Sequence, residues 1–162
     1  MADGEKPWLK LWPKSVPTTL NYPELTLPQV LEKSCDEYPD KPAIIFEEVA
    51  LTYGKLNDCV KRFAAVLQDL GVKKGDRVAI YLFNCPQFVI AAYGALKAGA
   101  IVVPCSAAYK EIELMHQLDD SGAKILVAYE RLLPIAGKIV KETAIEHVIA
   151  TFEQDYRYLE HV

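Results

Sequence analysis

Residues 94–106, GALKAGAIVVPCS, hold the chain's nearest approach to a nucleotide-binding loop. Gly94 and Gly99 have the G-x-x-x-x-G spacing of a phosphate cradle, with Lys97 between them. That chemistry requires Lys and then Ser or Thr directly after the second glycine, in a turn from strand into helix. Here Ala100-Ile101 follow Gly99, and the apolar pattern runs from helix into strand. Lys97 then falls on the last helical turn, where a cation complements the helix dipole. Gly99 reads as the left-handed residue that ends the helix. The stretch is therefore expected to be structural.

The remaining reactive side chains are dispersed. Glu47-Glu48 and Asp119-Asp120 are adjacent acids, one pair in a hairpin turn and the other near a helix end before Gly122. Both read as solvated carboxylates. His116 lies one helical turn from Glu113 and from Asp120, which points to a surface ion pair rather than a general base. Cys35, Cys59, Cys85 and Cys105 show no two-residue spacing, and His116, His147 and His161 are remote from them, so no zinc or redox site is indicated. Free, reduced core thiols are expected, hence a cytoplasmic protein. No G-x-G-x-x-G, G-x-S-x-G, H-E-x-x-H or EF-hand spacing occurs.

The elements that must position these groups follow from apolar spacing. Pro7, Pro13, Pro17 and Pro23 keep residues 1–24 from forming a helix or central strand. Trp8, Leu9, Leu11 and Trp12 make that arm apolar enough to pack against something. Thr26 and Gln29 have capping-box spacing, opening a helix with Leu27, Val30, Leu31, Cys35 and Tyr38 on one face and Pro39 as its stop. Strands at 43–46 and 49–52 turn at Glu47-Glu48. A helix from Tyr53 to Leu70 buries Leu56, Val60, Phe63, Leu67 and Leu70, and Gly71 caps it.

From Gly75 onward, four strand-like runs (GDRVAIYLF, GAIVVPC, AKILVAY, EHVIAT) alternate with three helical ones. Near-continuous apolar strands joined by helices predict an α/β fold with a parallel sheet covered on both faces. The class is a three-layer, Rossmann- or flavodoxin-like half, preceded by an arm, a helix and a short β-hairpin. GAIVVPC reads as a central strand. Residues 25–150 form the folded unit, and 151–162 read as a tail or the start of a further segment. A binding site in such a sheet lies outside the carboxyl ends of its strands. That rule selects Asn84 after the first strand and Cys105, Ser106 and Tyr109 after the second. Asn84 also suits the N-cap of the next helix, with Pro86 in its first turn, and that is the preferred reading.

Composition sets the outer limits. The 162 residues are 51% hydrophobic and 25% charged, enough for one domain with a core. A net charge of −4 with scattered basic residues argues against nucleic acid as a partner. Nineteen uncharged residues separate Arg77 from Lys97, but Asn84, Pro86 and Gln87 interrupt them, so a strand and buried helix are expected rather than a transmembrane segment. A flavodoxin-like nucleotide binder would need glycine after its first strand, where this chain has NCPQ.

Specific strings add a family. LTYGKLND, GVKKGDRVAIYLFNCPQFVIAAYGALKAGA, LKAGAIVVPCS and YKEIELMHQLDDSGAKILV resemble successive motifs of the adenylate-forming acyl-activating enzymes. The arm KPWLKLWPKSVPTTLNYPE resembles the N-terminus of the long-chain fatty-acid–CoA ligases among them. The resemblance runs from residue 6 to 150 and assigns Thr52, Tyr53, Leu56, Lys97, Gly99 and Pro104 to signature positions of structural kind. Two departures stand out. Lys55 replaces the usual Glu, leaving Thr52 without a capping-box partner, and Ala107-Ala108 and Lys110 replace a Pro- and Thr-bearing loop.

The resemblance implies a ligase using ATP, Mg2+, CoA and a fatty acid. The carboxylate attacks the α-phosphate to give acyl-adenylate and pyrophosphate, and the CoA thiol then displaces AMP. The family's phosphate loop, its Tyr-Gly-x-Thr-Glu motif, its ribose-binding Asp and its adenylation Lys are absent from these residues. The chain itself is thus expected to have no catalytic residue, to bind no cofactor alone and to be inactive in isolation. Exposed apolar surface would then favour self-association. The alternative is a stand-alone α/β binding or interaction module that buries Trp8 and Trp12 against itself or a twin.

Overall fold

The computed structural model describes residues 6–152, 154 and 155. The expected tail therefore lies mostly outside the described residues, apart from Thr151, which belongs to the last strand. The proline-rich arm holds one 3-10 helix, Pro7–Leu11, where none was expected. Pro7 supplies the preset φ that suits a first turn. The Trp12 indole N–H donates to the Val16 carbonyl at 3.0 Å. The arm's tryptophans are not buried against the chain: Trp8 is 60% exposed and Trp12 41%.

Helix α1 (Leu27–Glu37) has the expected capping box, the Gln29 side chain accepting from the Thr26 N–H at 2.8 Å. Of its predicted apolar face, Leu31 and Cys35 are buried, whereas Leu27 and Val30 face solvent. Strands β1 (Pro42–Phe46) and β2 (Val49–Thr52) form an antiparallel hairpin whose turn places Glu47 at φ 52°. Thr52 caps α2 (Tyr53–Asp69), its hydroxyl accepting from the Lys55 N–H at 3.3 Å. Leu56, Val60 and Leu67 are buried as expected, and Cys59 and Ala64 join them.

Four parallel strands follow: β3 (Arg77–Tyr81), β4 (Ile101–Pro104), β5 (Ile125–Tyr129) and β6 (His147–Thr151). Their order is β4-β3-β5-β6. The expectation that GAIVVPC forms a central strand is corrected, since β4 is an edge of the described sheet. Ile101 and Pro104 are exposed, and proline is tolerated where no ladder donor is needed. The connecting helices are α3 (Pro86–Lys97), α4 (Glu111–Ser121) and α5 (Leu133–Ile139). The last is shorter than the sequence pattern suggested. Pro134 fixes its first turn, and 3-10 turns Glu130–Leu132 and Val140–Glu142 flank it.

Right-handed crossovers in this order put α3 on one face of the sheet and α4 and α5 on the other. Consistent with this, α3 packs on α2, and α4 on α5. Gly94 makes the first contact close: a Cβ there would lie 2.7 Å from Phe63 Cδ1 and 3.3 Å from the Val60 carbonyl oxygen. Gly99, at φ 84°, ends α3 as expected, and Lys97 on its last turn pairs with Glu32 of α1. At the same, amino end of the strands, Arg77 donates from Nε to the Ser121 carbonyl and from Nη2 to the Gly122 carbonyl, both at 2.7 Å. It thereby satisfies acceptors that α4 leaves open at its C-terminus.

Candidate functional site

Strand β3 lies between β4 and β5, and the helices after β3 and β5 leave on opposite faces. A crevice opens at such a reversal outside the carboxyl ends of the strands. Two adjoining cavities occupy it. One, of about 220 Å³, is lined by Phe46 and Glu47 from the hairpin turn, Phe83, Asn84 and Cys85 after β3, and Tyr129 and Arg131 around the end of β5. The other, of about 370 Å³, is lined by Leu82, Phe83, Asn84, Phe88, Cys105 and Ser106, among others. Asn84 and Phe83 belong to both. Phe83 meets Tyr129 edge to face, with ring centroids 5.4 Å apart.

Asn84 does not cap α3. That position falls to Cys85, which makes no side-chain cap bond, and Asn84 stands one residue earlier with its side chain exposed. The Cys85–Pro86 pair explains the shift: proline at the first helical position makes its predecessor the cap whatever its chemistry. Asn84, Cys105 and Ser106 therefore line one opening. Tyr109 lies apart from both cavities and packs partly buried on the core. Its carbonyl accepts the hydroxyl of the fully buried Tyr81 at 2.5 Å, which ties the loop after β4 to the centre of the sheet.

The crevice does not present an activated nucleophile. Burial pushes the Cys105 thiol up to about 11, although the Ile80 backbone opposes this. A thiol so protonated at neutral pH is a poor nucleophile. Burial also raises Cys85, against backbone N–H groups of Phe88 and Gln87 that favour its thiolate. Ser106 accepts from the Ala108 N–H at 3.3 Å, and no histidine lines either cavity. Among the described residues no group of three or more His, Cys, Asp or Glu gathers in a way that could hold a metal ion. The arrangement offers aromatic rings, the Asn84 and Gln87 amides, the Ser106 and Tyr129 hydroxyls, the Glu47 carboxylate and the Arg131 guanidinium, a set able to bind a polar ligand.

Sequence reasoning missed the contributions of β5 and of the hairpin. The strand-end rule, applied to AKILVAY as to the first two strands, points directly to Tyr129 and Arg131. No sequence signal places Phe46 and Glu47 there, because they arrive through tertiary packing. His116 is exposed and forms no ion pair among the described residues, contrary to expectation. Asp120, a turn further on, is likewise exposed. All four cysteines are free, with Cys35, Cys59 and Cys105 buried. No described helix is long and apolar enough to cross a membrane.

A third cavity, of about 200 Å³, lies on the α3 side of β5 and β6, between Phe63, Ile90, Val127, Ile149 and Asp155. Gln87 borders it and donates to the Phe152 carbonyl at 3.1 Å, while its Oε1 is buried without a hydrogen-bond partner.

The same architecture recurs in known proteins. The chain is 40% identical over 153 residues to a long-chain-fatty-acid--CoA ligase of Bacillus subtilis, covering 94% of this chain and 27% of that protein. It is 41% identical over 149 residues to one of Escherichia coli, covering 91% and 27%. A crystal structure of a long-chain-fatty-acid-CoA ligase from Archaeoglobus fulgidus superimposes with a TM-score of 0.78 at 26% identity, over 82% of this chain and 28% of that one. The chain thus spans about a quarter of the length of the curated relatives it matches. Residues 31–159 match the model of the AMP-binding enzymes, and the chain belongs to that family.

Proposed function

We propose that these residues are the N-terminal subdomain of an AMP-forming long-chain fatty-acid–CoA ligase, which converts fatty acid, ATP and CoA to acyl-CoA, AMP and pyrophosphate in the cytoplasm. The observation that carries the reading is the match of 94% of the chain, at 40% identity, to a protein of that name. The crevice supports it. Asn84, Cys105 and Ser106 form one wall of an approach for the acyl chain or the pantetheine arm, and Tyr109 holds the adjoining loop through Tyr81. Among the described residues no cluster of three or more ligands stands ready for Mg2+.

The isolated 162-residue chain is inactive, because the motifs to which the family resemblance assigns its ATP chemistry are absent from these residues. Incubated with palmitate, Mg·ATP and CoA, it should release no AMP above background. Fatty-acid-dependent AMP release would overturn the inactivity. The parent reading is tested by a chimera in which this chain replaces the matching quarter of the Bacillus subtilis ligase. Retained palmitate-dependent AMP release supports the assignment, and a folded but inactive chimera counts against it. A stand-alone module would bury Trp8 and Trp12, and within the chain both are exposed.

A further inference from the structure

The third cavity, on the α3 side of β5 and β6, has an apolar body and a polar rim. Phe63, Ile90, Val127 and Ile149 form the body, and Gln87, Thr151 and Asp155 the rim. Its volume of about 200 Å³ exceeds the roughly 150 Å³ in which an apolar cavity takes up a benzene ring. On the rim every donor group is already engaged. The Gln87 Nε2 group donates to the Phe152 carbonyl at 3.1 Å. The Thr151 hydroxyl and the Phe152 N–H both donate to Asp155 Oδ2, at 3.0 and 2.8 Å. Acceptors are left over. Gln87 Oε1 is buried with no hydrogen-bond partner, Thr151 keeps its lone pairs, and Asp155 has its second oxygen. Thr151 is also the only buried polar residue among the described ones. Asp155 forms no ion pair among the described residues, and no Lys, Arg or His lines the cavity. Gln117 Oε1, the other buried oxygen without a partner, borders none of the three cavities. Only at Gln87 does an unmet acceptor coincide with room for a ligand.

We propose that this cavity binds a small primary amine, an aryl- or alkylammonium whose apolar body fills the space between α3 and the sheet while its ammonium group sits on the rim. An ammonium brings three donors and accepts nothing, which matches a rim with only acceptors to spare. Asp155 meets its charge, and hydrogen bonds between charged groups are the strong ones. A carboxylate ligand would meet acceptors and like charge. A hydrocarbon would leave Gln87 Oε1 unmet, at the cost of a buried group without its partner. A neutral alcohol, with one donor and no charge, binds more weakly. The site shares Gln87 with the crevice and is otherwise separate from it, and the inference is independent of the ligase reading.

The purified chain, isotope-labelled, is titrated with phenethylamine, phenethyl alcohol and hydrocinnamate and followed by NMR. The amine should shift the Gln87 side-chain amide and the methyl groups of Ile90, Val127 and Ile149. It should bind about tenfold more tightly than the alcohol, as one charge-assisted hydrogen bond implies. Hydrocinnamate should leave these signals unmoved. Asp155→Asn should remove the amine's advantage while the alcohol's affinity and the far-UV spectrum stay unchanged. Ile149→Trp, which fills the body, should abolish binding of both. If that variant does not fold, intermolecular NOEs from the amine's ring to the Ile149 methyls of the unaltered chain locate the ligand instead. No shift at millimolar amine overturns the proposal, as does equal affinity for amine and alcohol. Shifts confined to residues outside the cavity, undiminished amine binding by Asp155→Asn, or full affinity in a folded Ile149→Trp chain overturn it as well.

Discussion

Arg77 begins β3, yet its guanidinium closes the end of α4, more than forty positions later in the chain. Removing it strands two carbonyls in a half-buried site, and charge-assisted bonds of this kind contribute about 1.5–3 kcal/mol each. Arg77→Ala should lower the unfolding free energy by about 3 kcal/mol in urea titrations, with the slope unchanged. Arg77→Lys should restore little, because an ammonium cannot span both acceptors. The titrating groups set opposing limits in pH. Asp76 is held below its ordinary value by the Lys73 N–H at 2.9 Å and by Lys124 at 3.1 Å. Its unfolded form takes up a proton first, so its stabilisation is lost as pH falls through the ordinary carboxylate range and below. Cys105, raised from 9.0 to about 11, works the other way. The unfolded thiol ionises first, so stability falls as pH rises from 9 towards 11. Thermal melts should therefore decline at both ends, and Asp76→Asn should flatten only the acid side. A single thiol should react with Ellman's reagent ahead of the others in the native chain, and Cys85→Ser should abolish that phase. Partners distant in sequence, such as Arg77 and Gly122, leave no local pattern, which is why this level was the least legible in advance.

At the level of elements, periodicity performed best where one face of a helix is wholly covered. The stripe of α2 was legible because α1, α3 and the hairpin bury Leu56 and Val60, and the main core takes in Leu67. The face of α1 was only half legible, since Leu27 and Val30 have the spacing of a core but stay exposed. The order of strands left no trace in composition, and β4 was misplaced at the centre although Pro104 already marked an edge. Gly94 shows the converse, a residue whose spacing imitates a ligand loop while its function is steric. Gly94→Val should push α3 away from α2 and cost about 2 kcal/mol by overpacking against Phe63 and Val60. Adding Phe63→Leu should recover part of that loss, so a double-mutant cycle in denaturant should show non-additivity. Additive effects would mean that the two helices do not share this contact.

Across the whole molecule, the sheet is protected unevenly. β6 is an edge with Val148 exposed at 43%, and beside it lies the cavity bordered by Ile149 and the unsatisfied Gln87 oxygen. Open strand edges pair with other edges unless charge or proline prevents it. The chain should therefore associate as its concentration rises, and Val148→Lys should suppress that association in light scattering without altering the melting temperature by more than a few degrees. Association through this edge leaves the arm's tryptophan emission unchanged, which separates it from pairing through the arm.

The strand order also governs when the sheet becomes possible. β3 emerges first but requires neighbours on both sides: Val78 pairs with Val102 and with Ile125. Its second neighbour is separated from it by two helices and another strand, so the closing contact is of long range and slow to form. During synthesis β3 waits, half-flanked, until β5 has left the ribosome. The hairpin and α1–α2, whose contacts are local, are free to assemble in that interval. Vectorial folding should thus proceed in two steps, with protection of the β3 amides from exchange appearing only in nascent chains that extend past Tyr129.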